Sequence, residues 1–288
     1  MRVSERLAPW LLAGPVVLFF VVFFAVPVAL LFASSVERVD TATFQVIERF
    51  TLHNYRRFLF DRFYLGVLGT TLRISVLVTL AALVTGYPMA SYLQRAKPRE
   101  RAALMLLVVS PLLVSLVIRS YGWIIVLGPL GLINGVLSGL HLVSAPLKLM
   151  YTETAVVIGL THVFYPFMVL AIYSSLQTID PAVVQAAQNL GASPRMAFWR
   201  VTLPLSVPGI VAGSLIVFAL SVSSFVTPAL LGGPWVKVVA YLAWEQNLVV
   251  LDWPFAAAIS VILLVLTAFV MYAYNRFVER GWFAGVFQ

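Results

Sequence analysis

The chain has 288 residues, of which 61% are hydrophobic and only 10% charged, with a mean hydropathy of +0.98. A water-soluble domain of this size cannot hide that much apolar surface, whereas a bilayer acts as solvent for apolar helix faces. The formal charge of +8 is carried at the ends of apolar runs rather than along one stripe, so it reads as membrane topology and not as nucleic-acid binding, and the lack of cysteine excludes disulfides, thiol catalysis and thiolate metal sites.

Six runs are long enough to cross a membrane, given about 20 residues at about 1.5 Å each for about 30 Å of hydrocarbon. They lie near residues 10–34, 68–93, 102–127, 153–178, 206–231 and 254–275, and they predict one all-α polytopic membrane domain over residues 1–288. The first run has no charge between Arg6 and Glu37, too long for the apolar core of a signal peptide, so it is expected to be retained. Residues 35–67 form the first connection, within which Leu52, Tyr55, Phe58 and Leu59 recur at helical spacing and predict an interfacial helix. Arg95, Lys97, Arg99 and Arg101 crowd the short second connection and assign it to the cytoplasm. Both termini and residues 180–204 are then cytoplasmic, and residues 35–67 are external. Pro27, Pro88, Pro111, Pro166, Pro208 and Pro228 fall within or at the ends of spans, where kinks are expected.

Candidate pathway residues follow in the third and fifth spans. Arg119 is placed near the outer edge of the third, followed by Tyr121 and Trp123. A snorkelling arginine in an aromatic belt and a pathway role both fit that pattern. In the fifth span Ser221, Ser223, Ser224 and Thr227 surround Phe225, either as interhelical glue or as solute contacts, with Ser223, Ser224 and Phe225 the pathway candidates. His162 inside the fourth span reads as an interhelical donor, and Gly209 and Gly213 form a small-xxx-small pattern for close packing. Glu153, Glu245 and Asp252 near the outer face are acids that could attract a cation.

The segment from Asp180 to Pro204 is polar and lies between two apolar spans. Asp180 is a good N-cap, Pro181 suits the first helical position, and Gly191 supplies the left-handed stop, so one helix is expected over about 181–190. Ser193 and Pro194 start a second helix, which carries Met196, Phe198, Trp199 and Val201 until Leu203-Pro204 ends it. Val183, Ala186, Ala187 and Leu190 give the first helix one narrow face of mostly small apolar side chains. That is a handle for a soluble partner, or else a helix pair lying on headgroups.

Gln185-Ala186-Ala187, then Gly191, then Leu203-Pro204 resembles the EAA loop of permease subunits of binding-protein-dependent ABC importers, with Gln185 where the family usually has Glu. NYRRFLFDRFYLGVLGTTLRIS, GYPMASYL, SLVIRSYGWIIVLGPLGLIN and SFVTPALLGGP extend the resemblance to the polyamine (spermidine and putrescine) branch, although Ser223-Ser224 stands where that branch often has Gly-Asp or Gly-Glu. The resemblance implies a type I importer permease (MetI-like) fold of six transmembrane helices with cytoplasmic coupling helices, in a bacterial inner membrane. It implies docking of Gln185, Ala186, Ala187, Gly191, Phe198, Trp199, Leu203 and Pro204 to the ATPase, with Phe198 and Trp199 bracing the handle. The implied partners are a cytoplasmic ABC ATPase dimer, a second six-span permease and an external solute-binding protein. The implied solute is a polyamine or related small organic amine or ion, with an opine, an aminophosphonate or an anion as alternatives.

The chain has no G-x-x-x-x-G-K-[ST] phosphate loop, so any ATP and Mg belong to the partner ATPase and no cofactor is expected on this chain. His53, His141 and His162 are scattered, with no paired intramembrane carboxylates, so neither an enzyme site nor a metal site is expected. A secondary carrier driven by an ion gradient is the rival class. Such carriers usually bury ionisable groups at the midplane, and these spans are nearly free of charge.

Overall fold

The computed structural model describes residues 14–40, 43 and 45–280. Within them, five helices are long and apolar enough to cross a membrane, and a bent helix pair makes up to six. The contacts divide the chain into two compact units, residues 1–65 with 242–264 and residues 66–241 with 265–288.

The first unit starts with helix α1, Gly14–Ser35; the predicted residues 10–13 lie outside the described residues. A π-helical turn at Val21–Ala25 lies within α1, two residues before Pro27. A proline ring clashes with the carbonyl four residues earlier, here Phe23, and the wider turn relieves that clash without breaking the helix. Beyond α1, strands β1 (Arg38–Val39) and β2 (Val46–Glu48) pair antiparallel, Arg38 opposite Glu48.

Helix α2, His53–Phe60, occupies the predicted interfacial stretch. It is tied to the end of α1: Asn54 Nδ2 donates to the carbonyls of Ser35 (3.2 Å) and Glu37 (2.8 Å), and Tyr55 Oη lies 2.6 Å from Ser35 Oγ. These bonds satisfy groups that a helix end leaves open. Phe58 is fully buried, and its ring stacks on Tyr64, which meets Phe255 edge-on.

The second unit is built around one buried helix. Helix α3 (Arg62–Arg95) runs unbroken through Pro88. A turn at Ala96–Lys97 leads to α4 (Pro98–Val109), and Arg101 folds back to donate to the carbonyls of Leu93, Gln94 and Ala96. This caps α3 and sets a cation against the negative end of its dipole. The predicted run 102–127 is not one helix. Pro111 sits in a tight 3₁₀ turn at Ser110–Leu113, Val114 is extended, and α5 then covers Leu116–Leu127. Proline cannot donate to the ladder of α4, and the chain breaks there. A short helix α6, Leu132–Gly139, follows.

Helix α7, Glu153–Gln177, is the core of this unit. Leu160, Met168, Ile172 and Leu176 have no solvent access, and Ile74, Leu93, Val217 and Leu231 pack in the same cluster. Helices α8 (Pro181–Asn189) and α9 (Pro194–Leu205) follow, and then α10 (Val207–Ser223), bent by 58° from α9. α10 lies along α7 through Gly209 and Gly213: a methyl group on Gly209 would come within 2.7 Å of the Ala171 carbonyl, and one on Gly213 within 2.8 Å of Met168 Sδ. The predicted span 206–231 is interrupted: α10 ends at Ser223, Ser224 is extended, and helical backbone resumes at Val226 and runs into a π turn at Pro228–Gly232. Helix α11 (Val239–Glu245), extended by a π turn at Gln246–Val250, leads to the last helix, α12 (Trp253–Arg280).

Candidate functional site

The Asp180–Pro204 segment folds as its capping residues predict. Asp180 Oδ1 accepts from the Ala182 amide at 2.8 Å, Pro181 opens α8, Ser193 Oγ accepts from Met196 at 3.3 Å, and Pro194 opens α9. Between them Gly191 takes φ +91°, a left-handed value that suits glycine. Ala192 then donates to the Ala187 carbonyl (3.1 Å) and Gly191 to that of Gln188 (2.9 Å). That bond pair is a Schellman stop, which closes α8 without leaving its last carbonyls open.

The second helix continues further than expected. Leu203 and Pro204 do not end it, because a π turn at Phe198–Thr202 widens the backbone where the ring of Pro204 would strike the Arg200 carbonyl. The chain bends two residues later, at Ser206. There Ser206 Oγ donates to the Leu203 carbonyl and lies 2.9 Å from Tyr87 Oη of α3.

Phe198 meets the same Tyr87 ring edge-on at 5.8 Å. The tyrosine thus fixes both the base of α9 and its bend. Trp199 does not brace the segment in the same way, since it is 66% exposed and touches Phe198 edge-on at 5.5 Å. Gln185 and Ala186 are exposed, Ala187 is half-buried, and Leu190 is 89% exposed. A cavity of about 480 Å³, lined by Arg95, Val184, Gln188, Arg195, Phe198 and Trp199, opens beside them. The segment is firmly held at its base and open along its apolar face.

The candidate pathway residues fall on adjoining elements. Trp123 donates from Nε1 to Nδ1 of His162 at 3.3 Å, their rings edge-on, so His162 links helices as an acceptor rather than a donor. Ser120 Oγ lies 3.4 Å from Thr227 Oγ1, which joins α5 to the chain just past the break at Ser224. Arg119 precedes Ser120 in α5, and Ser224 and Phe225 lie at the break just before Thr227. Tyr121, by contrast, is exposed. Ser221 and Ser223 spend their hydroxyls on carbonyls of their own helix. His162 lies nine residues inside α7 from Glu153, about 13.5 Å along the axis, so Trp123, and Arg119 one turn before it on α5, lie within the length of α7 rather than at its end.

Two of the candidate acids are already committed. Glu153 pairs with Arg73, and Asp252 with Arg57 at 2.9 Å, whose guanidinium also lies 3.9 Å above the Phe255 ring. Neither is a free carboxylate for a cationic solute. No group of metal-ligating side chains occurs among the described residues.

The sequence profile of the binding-protein-dependent transport system inner membrane components matches residues 51–283. The chain belongs to this family. The permease is 36% identical over 254 residues to the spermidine/putrescine transport system permease protein PotB of Haemophilus influenzae, covering 88% of each chain. It is also 36% identical to PotB of Escherichia coli, over 89% of this chain and 92% of that one. A solved bacterial ABC transporter for import of the acidic polysaccharide alginate has the same fold, with TM-score 0.80 and 19% identity, over 97% of this permease and 99% of that chain. The permease is accordingly a multi-pass inner-membrane transport subunit of type I, MetI-like fold, and not an enzyme.

Sequence reasoning missed the chain between the fifth and sixth spans as a structured element. The Val239 amide donates to Thr71 Oγ1, nine residues inside α3, so α11 starts well within the length of that helix. The hydrophobic run of VVAYLAW, which is too short to cross a membrane, is the signal that marks such a segment.

Proposed function

We propose that this permease forms half of the solute pathway of an ATP-driven importer, and that Asp180–Pro204 is the handle through which a separate ATPase drives it. The observation that carries this reading is the pairing of a rigid base with an open face. Phe198 and Ser206 are locked to Tyr87, while Val183, Leu190 and Trp199 are left uncovered. A helix pair held only by headgroups needs no such anchor.

The loop is cytoplasmic in this reading, as are both termini, in keeping with Arg95, Lys97, Arg99 and Arg101 at the second connection. ATP and Mg bind the ATPase dimer, a second six-span permease completes the pathway, and an external binding protein delivers the solute. Closure of the ATPases moves the paired handles together. Tyr87 carries that motion into α3, and the 58° bend at Ser206 carries it into α10. The solute is a small organic amine of the polyamine class, a reading supported by the 36% identity to the PotB permeases.

The test is uptake into sealed vesicles holding the complete transporter, with putrescine as the probe. ATP inside the vesicles is expected to drive accumulation, and an ion gradient alone is not. Gradient-driven uptake without ATP would refute the coupling role.

A further inference from the structure

We propose that Arg119 is the membrane-buried half of an ion pair whose carboxylate is supplied by the second permease subunit. Arg119 Nε and Nη1 are shielded from solvent and have no hydrogen-bond partner within the chain. The ion pairs Arg57–Asp252 and Arg73–Glu153 do not involve this residue.

Local groups cannot satisfy it. His162 is within electrostatic reach, but its Nδ1 lone pair already accepts from Trp123, which leaves that ring with an N–H on its other nitrogen. The neighbouring hydroxyl of Ser120 donates to the Leu116 carbonyl. Snorkelling does not rescue the charge either. The Trp123–His162 bond places Trp123, one turn of α5 from Arg119, about 13.5 Å from the Glu153 end of α7 and about 22.5 Å from the Gln177 end, so Arg119 lies inside the length of α7 rather than at either end.

An unpaired guanidinium at that depth is costly, and intramembrane cations are characteristically paired. Thr161, beside His162, points the same way. Thr71, Ser75, Ser120 and Ser221 bond the carbonyl four residues back, whereas Thr161 Oγ1 is buried and bonds nothing.

The missing group is an oxygen acceptor, and a carboxylate matches the planar fork of a guanidinium. It comes from outside the chain, because Arg119 as a whole is partly open, with Ile118 and Tyr121 exposed beside it. Two sources of a carboxylate exist there, the solute and the second permease. This inference rests on the polyamine-class reading, and a polyamine carries no acid. A bare cation beside the pathway would also repel such a cargo. The second permease therefore supplies the acid, and the pair both neutralises the pathway wall and fixes the register of the two subunits.

The complete transporter tests this with Arg119→Gln, read by putrescine uptake and by copurification of the two permeases. Uptake is expected to fall at least about tenfold, because the partner's acid is left buried and unpaired. Each membrane-interior Asp or Glu of the second permease is then changed to Asn or Gln in the Arg119→Gln background. One such change is expected to restore uptake and copurification to within about threefold of the wild type, since removing both charges removes the penalty. Unchanged behaviour of Arg119→Gln overturns the proposal. So does a loss that no acid replacement rescues. If the wild type shows no ATP-driven uptake, the transport reading fails by itself, and the copurification pattern still decides the ion pair.

Discussion

Tyr87 holds two separate parts of α9: its ring receives Phe198 edge-on at 5.8 Å, and its hydroxyl lies 2.9 Å from Ser206 Oγ at the bend into α10. One side chain of α3 therefore touches both α9 and the bend into α10. The segment is held at Tyr87 and exposed along Val183, Leu190 and Trp199.

Phe198→Ala removes the aromatic wedge and leaves the caps at Asp180 and Ser193 intact. An edge-on aromatic pair of this type contributes about 0.5–1.5 kcal/mol beyond its area burial. The variant is expected to insert and assemble normally while ATP-driven uptake falls about tenfold. The ratio of solute imported to ATP hydrolysed, measured in reconstituted vesicles, checks it. An unchanged ratio would remove Phe198 from the coupling route.

Gly191→Val meets no steric neighbour, since nothing lies within 4 Å of a methyl group built there, yet its φ of +91° is hostile to a β-branched residue. The cost is on the order of 1–2 kcal/mol, enough to unwind the Schellman stop and misdirect α9. ATP hydrolysis by the assembled transporter is expected to persist while uptake is lost. Paired hydrolysis and uptake assays separate this outcome from simple misfolding.

Gly213→Leu challenges the packing of α10 on α7, where a single methyl group already comes within 2.8 Å of Met168 Sδ. Overpacking costs about 1–3 kcal/mol, and Leu is far larger than the available gap. Thermal unfolding in detergent is expected several degrees below the wild type. A second variant, Gly69→Leu, lies inside α3 with nothing within 4 Å and is expected not to lower the midpoint.

What the sequence made legible was local. Membrane-grade runs at residues 68–93, 153–178 and 254–275 coincide, to within one residue, with continuous helices, and the ends of α8 are set by Asp180, Pro181 and Gly191, whose effects act within one turn. What it concealed depended on partners far along the chain. Pro204 looks like a helix end, yet a π turn accommodates it and the bend falls at Ser206, held by Tyr87. Likewise, Glu153 and Asp252 read as available acids until Arg73 and Arg57 are brought to them by tertiary folding. Nor does Arg119 announce its depth, which follows from the bond between Trp123 and His162.

If the ATPase docks on the open face of α8, the absence of native cysteine allows that contact to be read directly. Leu190→Cys, 89% exposed in the permease alone, gives the chain a single thiol that can carry a photoactivated cross-linker. In membranes containing the complete transporter, illumination is expected to join the permease covalently to the ATPase polypeptide. Cross-linking to lipid alone, by a transporter that still imports solute with ATP, would contradict the account.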